Sequence, residues 1–396
     1  MSKRLWAFFI IGVLLFVVFD KQEPAVKTKT DMEAVPCIEE EKSSTEGNAL
    51  SEASTDLSVV LKHRKPKPTI KIGALFPLSG KTADEGNGFK NALFLARDDL
   101  KYNSAAKYNY RFVIDDDNDA VAAYEKQKND DNINAVVSFG NTGKIIAPLA
   151  EKDKIIHINF GAEDESIAQG KYNFISWTMP DGQVDRLIDF YEEKGWKNIV
   201  FIGTDTSLET TVQNSAEKHG IKITSFDLQA DEKDFLPALQ KSKDVKADAY
   251  LVQIKSAEAE NFIKQYKNAG ISAPLTNIGT FAEIRDTALL EGICYTDIAQ
   301  SMDIFNDRVK QAYPETKSNF ALGSVYDVMM LLNQTFENSE TPEKAVDNLA
   351  ETPEYDGVIG VTKQDKEGVF AARAVLKCII DGRPEVMFDP HAGHSH

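Results

Sequence analysis

Ser79-Gly80-Lys81-Thr82 carries the residue types that close a nucleotide-phosphate loop: a glycine for the turn, a lysine for the phosphates and a hydroxyl for magnesium. That loop needs another glycine five positions before Gly80, and the sequence has Leu75 there. Pro77 also removes a backbone N–H where the loop should offer donors. Gly86-Asn87-Gly88 lacks the third glycine of a dinucleotide-binding turn and does not directly follow a strand. No GxSxG, HExxH or kinase pattern occurs. Asp115-Asp116-Asp117 reads as a strand end capping the next helix. His391, His394 and His396 could meet one zinc or nickel ion, but ordering a terminal tail costs entropy, so they read as incidental. His157, in the apolar run KIIHINF, reads as a core histidine. His63 and His219 read as solvated.

Asn141-Thr142-Gly143 lies between a strand candidate and a helix start. Free N–H groups there favour an anion such as a carboxylate, and Thr142 adds a hydroxyl. The alternative is that Asn141 or Thr142 only caps the helix. Ser79 sits on the loop after the first strand, as a ligand contact or as a solvated turn serine. No cofactor and no catalytic constellation are expected.

The 396 residues carry a net charge of −17, with 42% hydrophobic and 27% charged residues. The acidity argues against nucleic acid as a partner. Of the three cysteines, Cys294 and Cys378 read as two ordinary buried thiols, able to pair only if their strands adjoin. Lys3 and Arg4 precede an uncharged apolar run, Leu5 to Phe19, with no small-x-small cleavage site after it. As a helix it would span only about 22 Å, short for a membrane core but workable with local thinning. Residues 1–20 therefore read as a signal-anchor, uncleaved rather than cleaved, tethering an exported body to the membrane through residues 5–19. Residues 21–67 are polar and acidic, end in KHRKPKP, and read as an extended linker.

From Thr69 the pattern changes. TIKIGALF, YRFVID, NAVVSF and KIIHIN are strand candidates, and stretches with helical apolar spacing follow the first three. A second series runs NIVFIG, IKITSFDL, ADAYLVQI, each followed by a helical stretch, the last closing on Gly270 at a C′ position. Strict alternation predicts parallel sheets covered by helices. Some 320 residues exceed one core, so two α/β domains are expected.

Several blocks resemble one family in order and spacing. IKIGALFPLSG followed by a glycine-containing loop and a helix, AVVSFGNTGKIIAPLAEKDKIIHINFGAEDESI, YNFISWTMPDGQVDRLIDFYEEKGWKNIVFIGTD, and EYDGVIGVTKQDKEGVF with Gly357, Gly360, Asp365 and Gly368 are similar to the type I periplasmic binding proteins of the branched-chain amino-acid branch. The match covers about residues 69–388. The resemblance implies a clamshell of two Rossmann-like lobes with parallel sheets, joined by a three-strand hinge near 177–181, 298–303 and 354–362. Lobe 1 would hold 69–178 plus 302–358; lobe 2 would hold 179–300 plus 359–388; 389–396 is the tail.

It further implies a monomeric solute-binding protein outside the cytoplasm. Such a protein captures an amino acid or related polar solute between its lobes and delivers it to the permease of an ABC importer. A sensing module for a membrane partner is the alternative, and an α/β enzyme a weaker one. Gly161-Ala162-Glu163 aligns with the family's amine-binding turn, where Thr is common in place of Glu163; Ala162 and Glu163 are thus ligand-contact candidates. The loop after VFIG carries Thr206 and Leu208 where a tyrosine is usual. Lys255 and Ser256 stand where another tyrosine is expected, and Gly279 where an acid is expected, unless Glu283 substitutes. Two aromatic walls and one carboxylate are therefore expected to be missing, with Lys255 facing the cleft. Those departures put an acidic solute or a non-amino acid on a par with leucine.

Overall fold

The computed structural model describes residues 67–102, 105–204, 206–229, 231–284 and 286–388. The apolar segment 5–19, nearly all of the linker and the histidine tail lie outside them. Among the described residues no helix is long and apolar enough to cross a membrane, and no group of His, Cys, Asp and Glu could hold a metal ion.

The first strand, β1 (Thr69–Phe76), follows the predicted TIKIGALF run, and six of its eight residues are buried. Burial on both faces is what an unbroken apolar run at the centre of a parallel sheet implies. Around it stand β2 (Asn109–Asp116), β3 (Ala135–Phe139), β4 (Ile156–Phe160) and β5 (Asn173–Trp177) in the order β2-β1-β3-β4-β5, all parallel. The second sheet repeats the plan: β6 (Asn198–Gly203), β7 (Lys222–Asp227), β8 (Ala249–Gln253), β9 (Leu275–Ile278) and β10 (Cys294–Asp297) run in the order β7-β6-β8-β9-β10. In each sheet the order reverses beside the first strand, and in open α/β sheets the crevice at that reversal, beyond the carboxyl ends of the strands, is where ligands bind.

Helices cover both sheets. In α1 (Ala83–Lys101), Phe89, Ala92, Leu93 and Ala96 repeat at helical spacing and are fully buried. Gly88 on the same helix would, with a Cβ, stand 3.0 Å from Leu322, so its lack of a side chain lets the helix Leu322–Asn338 pack close. The helix Ser256–Asn268 ends with Gly270 at φ +69°, the predicted left-handed C′ position.

Both sheets are mixed rather than purely parallel. β11 (Glu354–Gly357), β12 (Gly360–Lys366) and β13 (Val369–Ala372) extend the first sheet past β5, and β11–β12 and β12–β13 pair antiparallel. The hairpin glycines singled out in the sequence sit at its turns: Gly357 pairs with Gly360, and Gly368 takes φ +77°. All three strands belong to the first lobe, so the third crossing lies at 373–374 and not near 354–362. β14 (Val375–Ile380) then pairs antiparallel with β10, and β15 (Arg383–Val386) with β14. The first two crossings fall at 178–179 and 298–302, between β5 and the helix Pro180–Glu193 and between β10 and the helix Asp303–Ala312.

Cys294 and Cys378 face each other in the β10–β14 register and form a disulfide, correcting the expectation of two free thiols. The pairing depends on a contact between strands 84 residues apart, which local sequence does not display. Among the described residues the buried apolar side chains divide into four clusters: two draw on the first lobe and two on the second.

Candidate functional site

A cleft of about 1320 Å³ opens between the lobes at the carboxyl ends of the strands. From the first lobe it is lined by the segments following β1, β3 and β4; from the second, by the start of the helix Thr206–Lys218 and the ends of β8 and β9; at the hinge, by Asp297 and Ile298.

Two left-handed glycines shape the first-lobe wall. Gly140 has φ +53° and Gly161 has φ +80°. A Cβ on Gly161 would stand 2.2 Å from the Phe139 ring, so glycine there is what lets Phe139 lie against the turn. Beneath these turns lies a buried polar network. Asn159 Nδ2 donates to the Ser138 hydroxyl at 2.9 Å and to the Gly140 carbonyl at 3.0 Å. His157 bridges Ser138 Oγ at 2.7 Å and Asn173 Oδ1 at 2.9 Å. Burial lowers its imidazole to about 4, so it is neutral at physiological pH, as a core histidine should be. On the other side, buried Asn277 donates to the Val252 carbonyl and the Thr280 hydroxyl, which fixes the turn presenting Thr280.

Of the residues singled out in the sequence, Asn141, Thr142, Ala162, Glu163 and Leu208 line the cleft. Ser79 does not: its hydroxyl accepts from Asn118 Nδ2 at 2.6 Å, and its neighbours Pro77 and Thr82 reach the cleft instead. Thr206 opens the helix Thr206–Lys218, whose next two residues are at the wall. Lys255 and Ser256 lie elsewhere. Lys255 is exposed and ion-paired with Asp231, and both border a small separate depression, while Ser256 borders another. A strand-end position by sequence count did not become a cleft position because Ile254 and Lys255 turn away past β8.

Thr142 departs from its anticipated role. Its hydroxyl donates to Asp117 Oδ2 at 3.0 Å, and the N–H groups of Gly143 and Lys144 already donate to the carbonyls of Gly140 and Asn141. The protein's own carboxylate thus takes the Thr142 hydroxyl that a ligand carboxylate was expected to meet. Burial raises the Asp117 carboxyl above its ordinary range. Glu163 is reached by water but ringed by protein, and that crowding raises its carboxyl too. Asp164 behaves oppositely: its bonds with Lys144 (2.8 Å) and Ser166 lower it to about 2.

Aromatic rings reach the cleft from positions the sequence reading did not single out. Phe139, Trp177 and Phe320 all line the cleft, Phe320 with its ring 6.2 Å from each of the other two. Phe139 and Trp177 end β3 and β5, so the rule that ligands sit at strand carboxyl ends would have marked them. Phe320 lies in a loop without a motif, presented by Ala321 at φ +52°. Gln183, Gln253 and Thr280 were likewise missed.

Residues 69–376 match the sequence profile of the family described as periplasmic binding protein. The chain belongs to the type I periplasmic binding proteins. No curated protein sequence matches it. Among solved members of this fold, an ABC transporter substrate-binding protein from Desulfitobacterium hafniense in complex with Leu superposes with a TM-score of 0.66 at 18% identity, covering 81% of this chain and 100% of that one. The branched-chain amino acid transporter substrate-binding protein LivJ from Streptococcus pneumoniae, in complex with isoleucine, gives 0.61 at 22% identity, covering 81% and 99%. A solute-binding protein of an ABC transporter from R. palustris, in complex with 4-hydroxybenzoate, gives 0.60 at 18% identity, covering 80% and 95%. At these identities the periplasmic binding protein fold is shared, and the ligand is not implied.

Proposed function

We propose that this chain is an extracytoplasmic solute-binding protein that captures a small molecule, an amino acid or related polar solute, between its lobes and hands it to an ABC importer. The observation that carries this reading is the cleft itself: walls from two separately cored lobes face each other where both sheets reverse strand order. A solute touching both walls stabilises the closed form, which is what a carrier presents to its transporter. Family membership supports the location outside the cytoplasm and the absence of catalysis. Tethering through residues 5–19 is part of the same proposal.

The test is a thermal-shift screen of the full chain in detergent against amino acids, small carboxylates, amines, amides and purines. A cleft ligand at about 100 times its Kd raises stability by about 2.7 kcal/mol, a shift of several degrees that grows with dose. Glu163→Ala should reduce the shift for the hit. If no solute moves the melting temperature, solute capture is wrong.

A further inference from the structure

The cleft's charge is strongly one-sided. Among the described residues six carboxylates line it, Asp117, Glu163, Asp164, Glu165, Asp181 and Asp297, against one lysine, Lys144. Lys144 is committed to Asp164 at 2.8 Å. Two lysines outside the lining neutralise more: Lys366 reaches Glu165 at 2.5 Å and Asp181 at 3.6 Å, and Lys377 reaches Asp297 at 2.8 Å. Among the described residues Asp117 and Glu163 are left without a cation. Asp117 has only neutral hydrogen-bond partners, the Thr142 hydroxyl among them. Among the described residues Glu163, exposed to the cleft, makes no hydrogen bond or ion pair.

An independent observation lies across the cleft. Gln183, on the second lobe, is 4% exposed and lines the cavity, and its buried Oε1 accepts from nothing. A buried acceptor without a donor is costly, so a donor arriving with the ligand is favoured there. Beside these groups stand the three rings of Phe139, Trp177 and Phe320, an apolar wall whose faces also attract cations. An anionic ligand group has no comparable reception among the described residues, because Asp117 already holds the Thr142 hydroxyl and the Gly143 and Lys144 N–H groups donate within the turn.

We infer that the solute is an organic ammonium with a flat apolar body and no carboxylate: its N–H groups meet Glu163, Asp117 and Gln183, and its body lies on Phe139, Trp177 and Phe320. This rests on the solute-capture reading and narrows it. The ammonium compensates the two charges that the protein leaves open and supplies the donor Gln183 lacks. A zwitterion of the same shape must bring a carboxylate into a site with a net negative charge, where it is repelled.

The test is isothermal titration of the full chain in detergent with matched probes. The amines are 2-phenylethylamine, tyramine, tryptamine and trimethyl(2-phenylethyl)ammonium; their counterparts are 3-phenylpropionate, phenylalanine and leucine. At least one primary amine should bind about tenfold or more tighter than 3-phenylpropionate and phenylalanine. Its affinity should fall with rising salt. The trimethylated analogue, which has no donor for Gln183, should bind more weakly than 2-phenylethylamine. Glu163→Gln and Asp117→Asn should each weaken the amine about fivefold or more and leave 3-phenylpropionate no weaker. If phenylalanine, leucine or 3-phenylpropionate binds as tightly as the best amine, the ammonium assignment is overturned while solute capture stands. If none of the four amines binds, or both substitutions leave the amine unchanged, the assignment is overturned as well.

Discussion

Asp327 shows how one buried carboxyl can mark a lobe without touching the cleft. It lies on the helix Leu322–Asn338, 3% exposed, and accepts from the N–H groups of Val358 at 2.9 Å and Ile359 at 3.0 Å, gripping the β11–β12 turn. Gly357 makes room for it: a Cβ there would stand 2.2 Å from Asp327 Oδ2. Burial raises its carboxyl to about 7, against the pull of those two N–H groups, with Asp356 adding to the rise. In the unfolded chain the group titrates near 4. The folded form therefore holds more protons between about pH 4 and 7, and this residue's contribution to stability is lost as pH rises through that window. We expect melting temperatures of Asp327→Asn and the parent to converge, or cross, as pH goes from 4 to 8. The relative gain of the variant should be roughly 2–4 kcal/mol across the window. A difference independent of pH would remove Asp327 as the titrating group. At this scale the sequence marked Thr142 through its place between a strand and a helix start, and Glu163 through the family resemblance. It gave no sign of Gln183 or Asp327, whose roles arise from what packs over them.

Among the elements, the hinge combines the most distant parts of the chain. Thr178 Oγ1, in the first crossing, accepts from the Ala299 N–H in the second at 2.9 Å. Lys377 on β14, just past the third crossing, donates to Asp297 and to Gln300, each at 2.8 Å, and both charged side chains are about nine-tenths buried. Removing one partner of a buried ion pair leaves the other charge desolvated and uncompensated. Lys377→Met should therefore cost about 3–5 kcal/mol in denaturant unfolding, and Lys377→Met with Asp297→Asn should recover a good part of it. Equal losses in single and double variants would show that the pair is not what holds the crossing. The strands themselves were legible from alternating apolar runs. The lobe to which β12 and β13 attach was not, because β5, the partner of β13, lies about 190 residues earlier and nothing local records the pairing.

Over the whole molecule, each of the four apolar clusters stays within one lobe, so the lobes can rotate about the crossings without opening a core. The Lys366–Asp181 contact, 3.6 Å and exposed, links first-lobe β12 to the second lobe and adds little energy, as surface pairs do. The cleft ligand identified by calorimetry should lower the radius of gyration in solution scattering, and Glu163→Gln should shift that transition to higher ligand concentration. A ligand that binds with no compaction would mean capture without closure.

Composition and the order of apolar runs were enough, without coordinates, to determine two α/β domains and an acidic chain, and the resemblance carried by several sequence blocks pointed to the family. The domains and the acidity are set by periodicity and net charge, which are written along the chain. Only the tertiary structure decided that Cys294 meets Cys378, that Asp117 stands at the helix start of Thr142, that Lys255 turns outward, and that Phe139, Trp177 and Phe320 converge. Each of those depends on strand register and loop direction summed over many residues. A one-residue change in either sends a side chain to the opposite face, so the chemistry of the cleft is decided by the assembled fold.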